Sequence, residues 1–339
     1  MKRGQILFLN EQEVKELITA PQALELVETV FRYWSEGKTV NPVKLSLQIA
    51  PYHEGHINSM PSYIEPGDLC GVKVVSVHQN NMRSYGIPTT LGTIILHDPE
   101  TGLPYCIMGG THITDLRTGA VSGIMAKYLA RKDSSVLAVI GAGAQGFTSM
   151  EMTVLALGGI REVRVCDLSE ERAESFLDRA AALFPDLTFH RSRDHAEAID
   201  GADVILYAAS ASAPILEGSD VPEGAAVICV SEKLTPKTIA MFDGWYVDFA
   251  ECAIERYNAD GRHAAELIGK PYEDLTLDMV TGEIGDIIVG KQIGRTNDKQ
   301  RLLAASVGMS IEDVICAHAV FEAAEKRGAG RVLDFQDVG

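Results

Sequence analysis

The run Ser135-Val136-Leu137-Ala138-Val139-Ile140 leads without interruption into Gly141-Ala142-Gly143-Ala144-Gln145-Gly146. An apolar strand that ends on the spacing GxGxxG, followed by the apolar helical stripe Phe147, Met150, Val154 and Leu157, admits few folds. Gly141 permits a tight turn, Gly143 lets backbone approach a pyrophosphate, and Gly146 lets the helix pack on the strand with the phosphates at its N-terminus. A second apolar segment, Val163-Arg164-Val165-Cys166, ends at Asp167, 26 residues after Gly141. A carboxylate there accepts hydrogen bonds from ribose hydroxyls and repels an extra phosphate, so the expected cofactor is NAD rather than NADP. A lone glycine turn occurs in other α/β proteins; strand, fingerprint, helix, strand and acid in this order are far more restrictive.

The pattern continues downstream. Strands are expected at Ser135–Ile140, Glu162–Cys166, Leu187–Phe189, Ala202–Tyr207, Ala225–Val230 and Gly244–Val247, with helical periodicity between the earlier ones. Such alternation predicts a parallel, doubly wound sheet. In open sheets of this kind the C-terminal strand ends line the cofactor crevice, which adds Ala209 and Ser210 after the fourth strand, and Val230 and Ser231 after the fifth, to the cofactor candidates Gly141, Gly143, Ala144, Gln145, Gly146 and Asp167.

Upstream the periodicity differs. Val14, Leu17 and Ile18 suggest one helix, and Leu24, Val27, Val30, Phe31 and Trp34 a second that starts near Pro21 and stops at Gly37. Extended pieces follow at 44–49, 71–77 and 92–96, separated by Pro, Gly and Asn clusters. A helical stretch from Thr118 to Leu129 then leads into the alternating region, and a last amphipathic helix runs through Ile311, Val314, Ile315, Ala319, Phe321 and Ala324. The expected architecture is α/β: a Rossmann doubly wound domain over residues 119–310, and an α+β substrate-binding and dimerisation domain over 1–118 completed by the C-terminal helix within 311–339. A disordered tail is expected beyond Gly328.

With 47 acidic and 30 basic side chains among 339 residues, the formal net charge is −17, which repels a polyanion, so nucleic acid is not an expected partner. The 6 cysteines are widely spaced and read as reduced thiols. No apolar run reaches the roughly 18 residues of a membrane span, and the first residues do not resemble a signal peptide; a cytoplasmic protein without a membrane partner is the expectation. The histidines show no HxxxH spacing, so no metal is expected, and no G-x-S-x-G elbow supports a serine hydrolase.

Against this acidic background three cations stand in structured contexts: Lys44 after Pro42-Val43, Lys73 within Gly71-Val72-Lys73-Val74-Val75, and Arg117 within Thr114-Asp115-Leu116-Arg117-Thr118-Gly119-Ala120. Lys73 interrupts an apolar strand, where a buried ammonium needs an anion or a lowered pKa; the alternative is an outward-facing residue on a one-sided strand. Arg117, placed at a helix start, runs against the macrodipole unless a carboxylate is near; a salt bridge to Asp115 would also account for it. Together these groups suit the carboxylate of an amino or imino acid, with Lys73 also able to serve in proton transfer.

Several blocks then resemble the ornithine cyclodeaminase and mu-crystallin family along nearly the whole chain: Met60-Pro61, Gly71-Val72-Lys73-Val74-Val75-Ser76, Asn80-Asn81, Thr114 to Ala120, Ile140 to Gln145, Glu283-Ile284-Gly285-Asp286, Gly294-Arg295-Thr296 and Ser306-Val307-Gly308-Met309-Ser310-Ile311-Glu312-Asp313. The resemblance implies a homodimer and hydride exchange between a nicotinamide and the α-carbon of an amino acid or its imine. Carried over by position, it implies Lys44, Met60, Lys73 and Arg117 at the substrate, with Lys73 and Arg117 on its carboxylate and Lys73 in the proton-transfer step.

Two departures bear on the chemistry. Lys44 stands where the family usually has Arg, and an ammonium lacks the planar two-bonded grip of a guanidinium. The stretch Val230-Ser231-Glu232-Lys233-Leu234-Thr235-Pro236 lacks the Asp that acts as acid/base in cyclodeaminases; Glu232 is the nearest carboxylate and joins Lys73 and Arg117 as a catalytic candidate, and Lys233 is the nearest cation. The leading expectation is an imine reductase or amino-acid dehydrogenase. The rivals are an NAD-binding accessory subunit without turnover, and a cyclodeaminase that releases ammonia with no net NADH.

Overall fold

In the computed structural model the chain divides into two units, Met1–Arg117 with Met309–Gly339, and Thr118–Gly308. Residues 2–49, 53, 55–209, 220–230, 234–267, 269 and 271–337 are described.

The first unit opens with β1 (Gln5–Leu9) and α1 (Glu11–Leu17). Asn10 caps α1, its side chain accepting from the Gln12 and Glu13 amides at 2.9 and 3.0 Å, while Glu13 takes the Asn10 amide at 2.8 Å. α2 (Ala20–Ser35) carries Pro21 in its first turn, where no N–H is needed, and buries Ala23, Val27, Val30 and Phe31. There follow β2 (Thr39–Val40), β3 (Leu45–Gln48), β4 (His56–Ile64), β5 (Leu69–Val77), the short α3 (Asn81–Tyr85), β6 (Thr90–His97) and β7 (Pro104–Gly109). α4 (Thr111–Leu129) starts seven residues before the helix expected at Thr118. Its first amides, on Thr111 and His112, donate to the Glu11 carboxylate at 2.7 and 3.1 Å, so the cap is supplied from a hundred residues upstream. Arg117 consequently sits in the second turn of α4, not at a helix start.

The second unit takes up β8 (Val136–Ile140), α5 (Ala144–Leu157), β9 (Glu162–Cys166), α6 (Glu170–Leu183), β10 (Thr188–Arg191), α7 (His195–Ile199), β11 (Val204–Tyr207), β12 (Ala226–Cys229), α8 (Pro236–Ile239), β13 (Gly244–Val247), α9 (Ala250–Leu267), β14 (Gly282–Glu283), α10 (Ile284–Ile288) and β15 (Leu302–Ala305). Its sheet runs β10-β9-β8-β11-β12-β15-β13-β14, every pair parallel. Covered on both faces, β11, β12, β13 and β15 are buried at every residue, as a parallel sheet requires. β15, absent from the strands expected above, is wedged between β12 and β13.

The chain then returns to the first unit with α11 (Ser310–Arg327) and β16 (Arg331–Asp334). β16 pairs antiparallel with β1, Gln5 opposite Asp334, so the tail expected to be disordered beyond Gly328 is instead a strand. The sheet of this unit is β16-β1-β7-β6-β5-β4-β2, with β3 also on β4. α11 packs across β4, β5 and β6 and against α2. Gly71 in β5 makes room for it: a Cβ there would stand 3.0 Å from Val314 Cγ2 and 3.0 Å from Leu96 Cδ2. No helix among the described residues is long and apolar enough to cross a membrane.

Candidate active site

On β5 burial alternates, Gly71, Lys73 and Val75 facing in while Val74 is exposed. Lys73 therefore points to the side covered by α11, is fully buried, and lies in register between Met60 of β4 and Ile94 of β6. The outward-facing alternative is overturned. The Lys73 ammonium donates to Asp313 Oδ1 at 2.6 Å, its one hydrogen-bond partner among the described residues. Arg117 reaches the same oxygen through Nε at 3.2 Å and Glu312 Oε2 through Nη1 at 3.0 Å. Two cations and two carboxylates, from β5, α4 and α11, thus form a buried cluster of zero formal charge. Burial, reinforced by the Arg117 charge, pulls the Lys73 ammonium down to about 8, with Asp313 opposing the fall.

Asp313 Oδ2 is buried and has no hydrogen-bond partner among the described residues. A carboxylate oxygen left in that state normally loses the desolvation free energy of a charged group, about 1–3 kcal/mol or more, so a donor is wanted there. Glu312 also closes the capping box of α11, accepting from the Met309 amide at 3.1 Å. Ser310 and Asn41 fasten this helix start, Ser310 Oγ donating to the Met60 carbonyl and the Ile311 amide to Asn41 Oδ1 at 3.1 Å. Met60 is itself buried. Lys44 is half-buried just ahead of β3.

In the second unit Gly141 adopts φ 107°, a left-handed conformation open to glycine, and a Cβ on it would meet the Ala209 amide nitrogen at 2.7 Å. A Cβ on Gly146 would stand 2.0 Å from the Gly141 carbonyl oxygen, which explains the third glycine. Gly143, the residue before α5, is different: a Cβ there would meet nothing within 4 Å. Nothing in the chain demands glycine at that point, so the open space above its backbone suits a ligand's pyrophosphate. Ala144 and Gln145 begin α5 beside it.

Asp167, following β9, accepts from the Ala142 amide (2.8 Å), the Ser169 amide (2.8 Å) and Arg172 Nη2 (2.8 Å). Burial alone would raise its pKa, but the Ser169 and Ala142 amides and Arg172 outweigh burial and hold the carboxyl below its ordinary value. The acid is thus ionised and fixed to the glycine loop. Ala209 and Val230 follow β11 and β12, Val230 buried. Ser210, Ser231, Glu232 and Lys233 lie outside the described residues.

Three residues of consequence received no role from the sequence. Glu312 and Asp313 complete the charge cluster. Asp248, after β13 and fully buried, accepts from Ser306 Oγ (2.9 Å), the Val307 amide (2.9 Å), the Gly308 amide (2.7 Å) and its own Phe249 amide (2.9 Å). It holds the segment after β15 that feeds α11.

A parallel sheet with a glycine loop and a fixed acid, in one chain with an α+β unit carrying buried cations, defines a two-unit nucleotide-dependent oxidoreductase. The chain belongs to the ornithine cyclodeaminase/mu-crystallin family, whose profile matches residues 5–328. It is 30% identical to an alanine dehydrogenase of Archaeoglobus fulgidus over 97% of this chain and 98% of the relative. It is 28% identical to a Delta(1)-pyrroline-2-carboxylate reductase of Bacillus cereus over 97% and 100%. Among solved structures, the Thermococcus litoralis Delta(1)-pyrroline-2-carboxylate reductase in complex with NADH and L-proline superposes with TM-score 0.87 at 30% identity, covering 96% of this chain and 99% of that one. An archaeal alanine dehydrogenase dimer with bound NAD gives 0.86 at 29% identity, covering 98% and 100%.

Proposed function

We propose that this protein is an NAD(H)-dependent imino-acid reductase or amino-acid dehydrogenase acting on a C–N bond. The observation that carries the reading is the buried Lys73 ammonium, two of whose three N–H groups have no protein acceptor among the described residues. The relatives' named substrates and ligands, alanine, proline and pyrroline-2-carboxylate, all carry a carboxylate beside the reacting carbon, and a carboxylate is the group such an ammonium takes.

In this reading Lys73 and Arg117 hold the substrate carboxylate, with Met60 and Lys44 lining the same site and Glu232 the acid nearest in sequence after β12. Gly143, Ala144, Gln145 and the helix start of α5 receive the pyrophosphate; Asp167 takes the adenosine ribose; Gly141, Gly146, Ala209 and Val230 shape the remaining wall, with Ser210 and Ser231 next in sequence to the last two as further cofactor candidates. When bound, NADH supplies a hydride to the imine carbon. The protein's own contribution is to fix that carbon by its carboxylate, worth on the order of several kcal/mol of barrier lowering.

The protein acts as a cytoplasmic homodimer in this proposal. Support comes from the outer face of the first sheet, where register aligns Leu47, Ile57, Ser76 and Leu91 in one row and Leu45, Ser59, Val74 and Thr93 in the next. Leu45 and Leu47 are 74% and 61% exposed, an apolar surface that a second copy would cover. Light scattering on Leu47→Lys should report a monomer where the wild type is a dimer.

The test of function is absorbance at 340 nm with NADH and a panel of cyclic and linear imino acids. Oxidation of NADH with formation of the amino acid is expected. Binding of NADH without turnover on any of them would leave an accessory subunit, and ammonia release from ornithine without net NADH would mark a cyclodeaminase.

A further inference from the structure

The Lys73 ammonium is enclosed by β4 and β6, which present Met60 and Ile94 opposite it, and by two helices that present the charges acting on it among the described residues. α4 brings Arg117; α11 brings Glu312, Asp313 and the thiol of Cys316, which burial keeps protonated. Of these, only Asp313 hydrogen-bonds the ammonium, and it does so with the oxygen that also takes Arg117 Nε. We infer that Asp313 is a positioning residue for the reaction: it fixes the Lys73 ammonium and the Arg117 guanidinium relative to one another and keeps Lys73 charged, so that both present donors to one substrate carboxylate.

Geometry carries this. A side chain as long as lysine has many rotamers, and a single 2.6 Å bond to a fully buried carboxylate selects one. Asp313 is held in turn by the helix start that Glu312, Ser310 and Asn41 anchor. A zwitterionic imino acid then enters a cluster of zero formal charge without adding net charge.

The inference rests on the imino-acid reading above, and the experiment separates the two. The charge-neutral double variant Lys73→Met/Asp313→Leu replaces a buried ion pair by apolar groups, a change that preserves folding when such a pair is merely structural. We expect it to unfold at nearly the wild-type temperature and to bind NADH with the wild-type Kd, by fluorescence titration, while kcat/KM for the imino acid falls at least about 1000-fold. In Asp313→Asn, which keeps the shape, the alkaline limb of the kcat/KM profile should move about one to three units to lower pH, mostly through KM, and acidification should restore activity.

An Asp313→Asn profile that superposes on the wild type would overturn the role of Asp313 alone, whereas turnover retained in the double variant would overturn the role of Lys73 at the substrate together with it. Loss of activity in Asp313→Asn at every pH with NADH binding intact would overturn it as well. A wild type that binds NADH and reduces no imino acid overturns the functional reading itself, and this role with it.

Discussion

Two buried aspartates, one in each unit, show two uses of the same group. Asp248 is closed: three backbone amides and the Ser306 hydroxyl supply four donors, all from neighbouring loop residues. Asp313 is open: one oxygen holds two cations and the other holds nothing among the described residues. Both are fully buried, so burial alone does not tell a fastening from a working group. What separates them is valence left over beside two buried cations, which is wasteful in a structural joint and useful where a third partner comes and goes.

The comparison breaks first at Lys73. Lys73→Ala removes the cation that the open aspartate serves, and kcat/KM in the 340 nm assay should drop on the order of 1000-fold, about 4 kcal/mol. At the closed aspartate the effect should fall on stability instead. Asp248→Ala strands the Val307 and Gly308 amides, for a loss of about 3 kcal/mol and a Tm lowered by roughly 6–12 °C in calorimetry.

A smaller effect sharpens the contrast through pH. Because burial lowers the folded pKa of Lys73 to about 8 from 10.5, the unfolded chain binds a proton between those values that the folded chain does not. Stability from this group therefore rises with pH across that window, by up to about 1.4 kcal/mol per unit, and denaturant titrations of Lys73→Met should show the rise removed. Gly143→Ala should leave Tm unchanged, since its Cβ meets no protein atom, yet weaken NADH about tenfold in a binding titration.

The fold was legible wherever local pattern decides it. β9 and β13 match their expected bounds because alternation of buried Val163 and Val165 in the one, and the short apolar run Gly244-Trp245-Tyr246-Val247 in the other, leave little choice. β15 escaped because Leu302-Leu303-Ala304-Ala305 has the composition of a helix, and only the slot between β12 and β13 makes it a strand. The start of α4 escaped because its cap, Glu11, is distant in sequence, and β16 because its partner is β1.

The site was half legible. The glycine loop and Asp167 announce themselves by spacing, whereas Lys73 was recognised as a charge in need of an anion without the anion being found. A signal existed. Asp313 falls on the stripe Met309, Cys316, Ala317 and Val320 of an otherwise apolar helix face, and so interrupts its element as Lys73 interrupts β5. Opposite charges that each break an apolar pattern have reason to be paired with one another.

The cluster also constrains how the molecule is made. Lys73 and Asp313 are 240 residues apart, and a ribosome adding about 5–20 residues per second leaves the ammonium without its partner for roughly ten to fifty seconds. Everything from Thr118 to Gly308 emerges in that interval, whereas the first unit still lacks the helix that roofs β4, β5 and β6. Synthesis thus completes every strand of the second sheet before the helix that covers the first is made, a vectorial order written into the placement of one helix.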